Sequence, residues 1–285
     1  MITRRHVVSL GMLSLATRLT LAAPTDTAIS EEDELPPLPR TKLLDLSGSE
    51  GEPDFASRDI GQQALGRYDP GKEVKSYAVN ILKEAPYDCR PIEVAKYFHA
   101  LGRGKTKFGE EGRPYARGWP HYYNPVIVEF FTVTNLKPSG DETSWCAAFL
   151  NYCIARAASK DGRVGPKERL KGTGSASSGS FRCFGEEVPD GRIAKEGDIA
   201  VWALDGTVNK CRPGMGHVGF VVGNPTGDAD RPHLILGGNQ SGNLLDPKRT
   251  RRDGIFVKAM PAQYVASSSP IKYKKVFGYR TASFL

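Results

Sequence analysis

The sequence lacks an apolar run long enough to cross a membrane. None of its apolar stretches reaches the roughly 18 residues that a membrane-spanning helix needs. It also lacks zinc-finger spacing and the combined basic and aromatic signature of RNA-binding domains. We therefore expect no stable membrane insertion and no nucleic-acid partner. The composition further excludes collagen, a coiled coil and a wholly disordered chain.

Motifs for metals and cofactors are absent as well. No Cys-x-x-Cys pair occurs, which argues against a zinc site. Residues 102–106 look like the end of a phosphate-binding loop, but His99 stands where that loop requires a glycine. We expect neither a metal nor an organic cofactor.

What the sequence does have is an excess of basic residues. The 285 residues carry a formal net charge of +7. A basic surface favours an anionic partner, such as nucleic acid, anionic lipid or an acidic cell-wall polymer. Charge alone does not choose among these three.

The N-terminal segment has the pattern of an export signal. In residues 1–23, Arg4 and Arg5 precede an apolar stretch and small residues suited to cleavage. Thr3-Arg4-Arg5 resembles a twin-arginine signal, so we expect a periplasmic or extracellular protein. The alternative is a disordered extension. Residues 24–58 are rich in proline and acidic residues and are predicted to form a linker, which leaves residues 59–285 as the folded domain.

The five cysteines give an odd number, so at least one thiol is expected to stay free in an oxidising compartment. The other four allow up to two disulfides, and the sequence leaves their pairing open. The cysteines are Cys89, Cys146, Cys153, Cys183 and Cys211.

Helical periodicity comes first along the chain and strand patterns follow. Four helices are predicted: one opened by Asp69-Pro70, then residues 91–101, 124–131 and 145–158. The last of these carries an apolar stripe. Short gaps rich in glycine and proline separate the predicted strands, which favours an antiparallel meander. The fold class is therefore α+β, with helices on one face of the sheet. The predicted strands are residues 199–203, 217–222, 234–236, 255–257 and 276–279.

Cys146 lies in the first turn of the fourth predicted helix, where Thr143 or Ser144 can act as the cap. Unpaired N–H groups and the partial positive charge of a helix start favour thiolate over thiol. Cys146 is therefore a candidate nucleophile. A buried structural cysteine is the alternative.

A nucleophilic cysteine needs a base, and His217 is the best candidate among the histidines. It begins a predicted strand and follows Gly216. Alternation puts His217 and Gly219 on one face, where we expect Gly219 to leave room for a helix end.

The partner that orients this histidine is expected on the next strand. Asn239 can accept the imidazole N–H and fix the tautomer, as in Cys-His-Asn proteases. A shift of one residue in strand register would give that role to Gln240. A glycine-rich turn with merely polar side chains is the third alternative.

Taken together, these segments resemble the CHAP-type, NlpC-like cysteine amidohydrolases and peptidases that cleave peptidoglycan. The resemblance covers residues 70–285. It implies a papain-like fold, with Cys146 as nucleophile, His217 as base and Asn239 as orienting residue. The segments that carry it are residues 124–125, 140–149, 172–176, 196–201, 216–223 and 236–240.

The chain departs from the family pattern at three places. Gly237 and Gly238 leave no carboxylate just before Asn239, and residues 185–197 and the loop containing Cys211 differ in length. The resemblance still implies an amidase or endopeptidase that acts on peptidoglycan through a thioester, without metal or cofactor.

Two other functions stay open. One is an exported wall-binding module that does not use its thiol. The other is a thiol acyltransferase or toxin on the same fold. The sequence does not identify the bond that is cut, whose cell wall is attacked, or any immunity or inhibitor protein.

Overall fold

The computed structural model describes residues 68–119, 122–138, 140, 143–188, 194–204, 216–223, 233–241, 253–260 and 273–281. The predicted export signal and linker lie outside the described residues, as does Cys211. Within the described part of the chain, no helix is both long and apolar enough to cross a membrane.

Helices occupy the first half of the described chain, at the predicted places. Two short helices that the sequence analysis did not predict, α3 and α6, lie between the longer ones. Short 3₁₀ helices occupy residues 113–116, 131–133 and 178–183. The helices are α1 (Lys72–Glu84), α2 (Pro91–Gly102), α3 (Gly109–Gly112), α4 (Pro125–Phe130), α5 (Cys146–Ala158) and α6 (Pro166–Arg169).

The two predicted Asx-Pro helix starts behave differently. Asn124 caps α4 as expected, because its Oδ1 accepts a hydrogen bond from Val126 N at 2.9 Å and Pro125 follows as the first helical residue. Asp69 does not cap α1. Its Oδ1 instead accepts from Gly71 N at 2.8 Å, and the helix begins only after that turn.

The helix α5 is the centre of the helical layer. The sequence predicts one apolar stripe on it, but every residue from Cys146 to Ala157 is buried. The reason is that α5 is covered on several sides at once, by α2, by α4 and by the sheet. Its Phe149 and Tyr152 pack against Phe98 and Phe130 with ring centroids 5.1–6.1 Å apart.

The described strands form one antiparallel sheet in the order β1-β6-β2-β3-β4-β5. From β2 to β5 it is the predicted meander. The last strand, however, returns to pair with β2 rather than continuing beyond β5. The strands are β1 (Glu186–Glu187), β2 (Ile199–Leu204), β3 (Gly216–Gly223), β4 (His233–Ser241), β5 (Asp253–Met260) and β6 (Tyr273–Thr281).

The two faces of the sheet belong to different apolar clusters. Val201, Val218 and Leu236 join the core formed with α5. Trp202 and Ile235 belong to a second cluster on the other face. This arrangement confirms the α+β class, with α5 packed on β3 and β4.

Candidate active site

Cys146 is the first residue of α5, as the sequence predicts, but the cap is different. Neither Thr143 nor Ser144 caps the helix. Trp145 occupies the N-cap position without a side-chain hydrogen bond, and its carbonyl accepts from Phe149 N at 2.9 Å. Cys146 therefore lies among the N–H groups that open the helix, which favour a negative charge on the thiol. Its exposed fraction is 4%.

Trp145 fixes the start of α5 on the sheet. Its side chain is 1% exposed and packs between Phe130 and Phe149, with centroid distances of 6.2 and 6.4 Å. A Cβ at Gly238 would lie 2.4 Å from Trp145 Cζ3 and 2.9 Å from Phe149 Cβ. Since such distances are too short for real atoms, only glycine at position 238 allows α5 to begin this close to β4.

His217 lies on β3, and its ring approaches Gly237 of the neighbouring strand β4. Its ring lies against Trp202, its partner in β2, with the centroids 6.0 Å apart. A Cβ at Gly237 would lie 3.4 Å from His217 Nε2. Gly237 thus faces His217, the candidate base. Gly238 faces Trp145, the residue before the candidate nucleophile Cys146.

The room above Gly219 is not filled by a helix end, contrary to our expectation. A Cβ at Gly219 would lie 2.5 Å from Ile235 Cγ2, so a side chain of the adjacent strand occupies that space. The helix α5 packs instead against the core formed by the alternate residues, Val218 and Phe220. The start of α5 packs over Gly238, and His217 Nε2 approaches Gly237, so consecutive residues of β4 contact the two candidate regions.

Asn239 does not continue β4 as a regular strand residue. It adopts a left-handed conformation with φ of 58°. The register against β5 shifts at this point, because Gly237 pairs with Phe256 while Gln240 pairs with Gly254. β4 therefore contains one extra residue, which is a β-bulge. The regular strand register, on which the prediction for Asn239 rests, does not hold across it.

Gln240 follows the bulge and is 3% exposed. Its Nε2 lies 2.3 Å from the position of a Cβ on Gly237, which His217 Nε2 also approaches. Among the residues that the structure describes, neither Oε1 nor Nε2 of Gln240 has a hydrogen-bond partner. The structure thus places the amide of Gln240 next to the candidate base.

Asn151 anchors a loop to α5, a role that was not predicted from the sequence. Asn151 Oδ1 accepts from Thr173 N at 2.7 Å and from Gly174 N at 3.2 Å. Its Nδ2 donates to Ser175 O and to Ala147 O, both at 2.9 Å. The loop is therefore held against the first turns of the helix that Cys146 begins. The sequence signal for this role was an amide side chain in a helix whose other residues, apart from Arg156, are apolar or aromatic.

The remaining described cysteines differ from Cys146. Cys89 and Cys153 are free, whereas Cys183 is disulfide-bonded, so two of the four cysteines thought available for disulfides are unpaired. Burial raises the pKa of the Cys153 thiol well above its ordinary value. Burial, aided by Glu93, also raises the pKa of Cys89. Neither thiol is therefore activated as a nucleophile.

A cavity of about 260 Å³ is lined by Ile154, two turns along α5, and by Glu196 and Asp198, but not by the candidate catalytic residues. Within the described ranges, no group of three or more His, Cys, Asp or Glu residues is arranged to hold a metal ion.

Comparison with known protein families, with curated proteins and with solved structures finds no match for the chain.

Proposed function

We propose that the chain is a cysteine-dependent hydrolase of papain-like fold that cleaves amide bonds of bacterial peptidoglycan through a thioester. One observation carries the proposal. Cys146 begins the buried helix α5, and Trp145, the residue before it, packs over Gly238. His217 Nε2 approaches Gly237, the residue that precedes Gly238 in β4. A thiol at a helix start and an imidazole to act as its base are the two groups that nucleophilic cysteine chemistry requires.

The reaction begins when the Cys146 thiolate attacks the carbonyl carbon of the amide, and His217 holds the proton that the thiol has lost. The tetrahedral oxyanion accepts a hydrogen bond from the Cys146 backbone N–H, at the positive end of α5. When the intermediate collapses, the C–N bond breaks and His217 protonates the leaving amine. An acyl group then remains on the sulfur as a thioester.

Water completes the cycle. His217 takes a proton from a water molecule, which attacks the thioester carbonyl, and the C–S bond breaks. A carboxylic acid leaves and the thiol is restored. No step needs a metal or an organic cofactor.

The net charge of +7 fits this substrate, because the peptidoglycan layer is anionic. The predicted export signal would deliver the enzyme to the compartment where the polymer lies. The same charge would also suit nucleic acid, but no nucleic-acid-binding motif accompanies it.

Digestion of purified peptidoglycan by the full chain tests the proposal. We expect soluble muropeptides whose masses identify the cut bond, either N-acetylmuramoyl–L-alanine or a peptide crossbridge. Cys146→Ala should release none, while Cys153→Ala serves as the matched control because it removes a buried thiol from the same helix. Equal release by Cys146→Ala and the wild type would refute the proposal.

Two alternatives stay open, and each has its own outcome. A wall-binding module that does not use its thiol would bind peptidoglycan without releasing muropeptides, and iodoacetamide would show no preference for Cys146. An acyltransferase or toxin on the same fold would be alkylated at Cys146 but would transfer the acyl group to an amine or act on a protein. For the hydrolase we expect Cys146 to be alkylated well before Cys89 and Cys153, since burial raises the pKa of both.

A further inference from the structure

The side chain of Gln240 presents an unusual energetic problem. It is 3% exposed, and both its Oε1 and its Nε2 are buried with no hydrogen-bond partner in the described part of the chain. A buried amide in this state loses its bonds to water and gains none in return, so its burial destabilises the folded chain. Such groups are rare in folded proteins, so each one calls for an explanation.

The position of this amide suggests what it serves. Gln240 Nε2 and His217 Nε2 lie 2.3 and 3.4 Å, respectively, from the same point, the position of a Cβ on Gly237. The two side chains are therefore neighbours on one side of Gly237. Because residue 237 is a glycine, no side chain stands at that point.

The bulge at Asn239 explains why the residue after it occupies this place. One extra residue lies between Gly237 and Gln240, and the left-handed conformation of Asn239 takes up the extra length. Gln240 is thereby returned to the face of the sheet that Gly237 and His217 share, where it pairs with Gly254 of β5.

We propose that the amide of Gln240, and not that of Asn239, is the hydrogen-bond partner of His217 Nε2 and fixes the tautomer of the imidazole. A half-turn about the last side-chain bond exchanges Oε1 and Nε2, and this torsion is soft in glutamine. The oxygen then accepts the proton on His217 Nε2. The inference rests on the proposed function for the role of His217 as base.

This hydrogen bond has a chemical consequence. With the proton held on Nε2, the other ring nitrogen, Nδ1, carries the lone pair, and it is the nitrogen that the proposed function requires as the base for Cys146. Gln240 is thus a positioning residue: it touches no reacting atom and acts through the imidazole. Loss of such a residue lowers turnover far more than it lowers substrate binding.

The ¹⁵N chemical shifts of the His217 ring test the assignment directly. They are best recorded on the full chain carrying Cys146→Ala, at a pH where the imidazole is neutral, so that the readout requires no catalysis. We expect protonation at Nε2 in this background and after Asn239→Ala. Gln240→Leu, which keeps the size but removes the amide, should mix the two tautomers. Persistence of the Nε2–H tautomer in Gln240→Leu would overturn the proposal.

Gln240→Glu gives an independent check, because the carboxylate keeps an acceptor for the Nε2 proton. We expect it to preserve the tautomer, and its loss there would also contradict the proposal. In the active chain, Gln240→Leu should lower kcat by about 10²-fold or more with little change in KM, whereas Asn239→Ala should change kcat only slightly. If the wild type releases no muropeptides but the tautomer depends on Gln240, the proposed function fails and the positioning role stands.

Discussion

Substitution of Gly238 by alanine should disrupt the link between α5 and the sheet. The new Cβ would lie 2.4 and 2.7 Å from two atoms of the Trp145 ring and 2.9 Å from Phe149 Cβ. Carbon atoms in ordinary contact are about 3.5–4.0 Å apart, so something must move by roughly 1 Å. The ring cannot easily turn away, because Phe130 and Phe149 enclose it. Phe149 Cβ is attached to the helix backbone, so the start of α5 itself must shift.

The size of the effect follows from this geometry. Overpacking of a core by one methyl group typically costs about 1–3 kcal/mol. The displacement falls at Trp145, immediately before Cys146, and a misplacement of about 1 Å can lower a rate by about 10²-fold. We therefore expect Gly238→Ala to lose both stability and activity.

Urea unfolding and muropeptide release measure these two effects. Gly223→Ala is the matched control, since a Cβ there has only Leu234 Cδ1 within contact, at 3.9 Å. Wild-type stability and wild-type rate in Gly238→Ala would refute the claim that close packing of Trp145 on β4 positions the thiol.

Two further predictions follow from other contacts. Asn151→Ala should lower the free energy of unfolding by about 1–3 kcal/mol in urea titrations, because Thr173 N and Gly174 N lose their shared acceptor; an unchanged midpoint would contradict the anchoring role. Stability should also fall as the pH rises above 10, the ordinary pKa of tyrosine, because burial raises the pKa of Tyr152 and the folded state then binds more protons than the unfolded state. The slope from this one group is at most about 1.4 kcal/mol per pH unit. Thermal melts at pH 9–11 should show this decline in the wild type and a smaller decline in Tyr152→Phe.

The elements that the sequence predicted well are those with a local chemical cause. Asn124 and Pro125 open α4 because an Asx cap and a fixed proline φ act within a few residues. Glycine-rich gaps likewise delimited the strands of the meander. The prediction that Cys146 opens a helix rested on the same kind of local pattern.

The features that the sequence analysis missed depend on contacts between distant segments. The return of β6 to pair with β2 has no local signature, because the two strands are far apart in the chain. The bulge at Asn239 shifts one strand by a single residue, which alternation cannot reveal. Burial of α5 on all sides depends on which elements surround it, so its pattern predicted only one covered stripe.

The central claim is that Cys146 carries the acyl group of the substrate. The most direct test is to mix the full chain with peptidoglycan fragments, quench in acid during turnover, and locate the added mass by peptide mass spectrometry. The account predicts an acyl adduct on the peptide containing Cys146, which hydroxylamine removes and which Cys146→Ala lacks. Muropeptide release with no adduct on Cys146, and with undiminished turnover in Cys146→Ala, would contradict it.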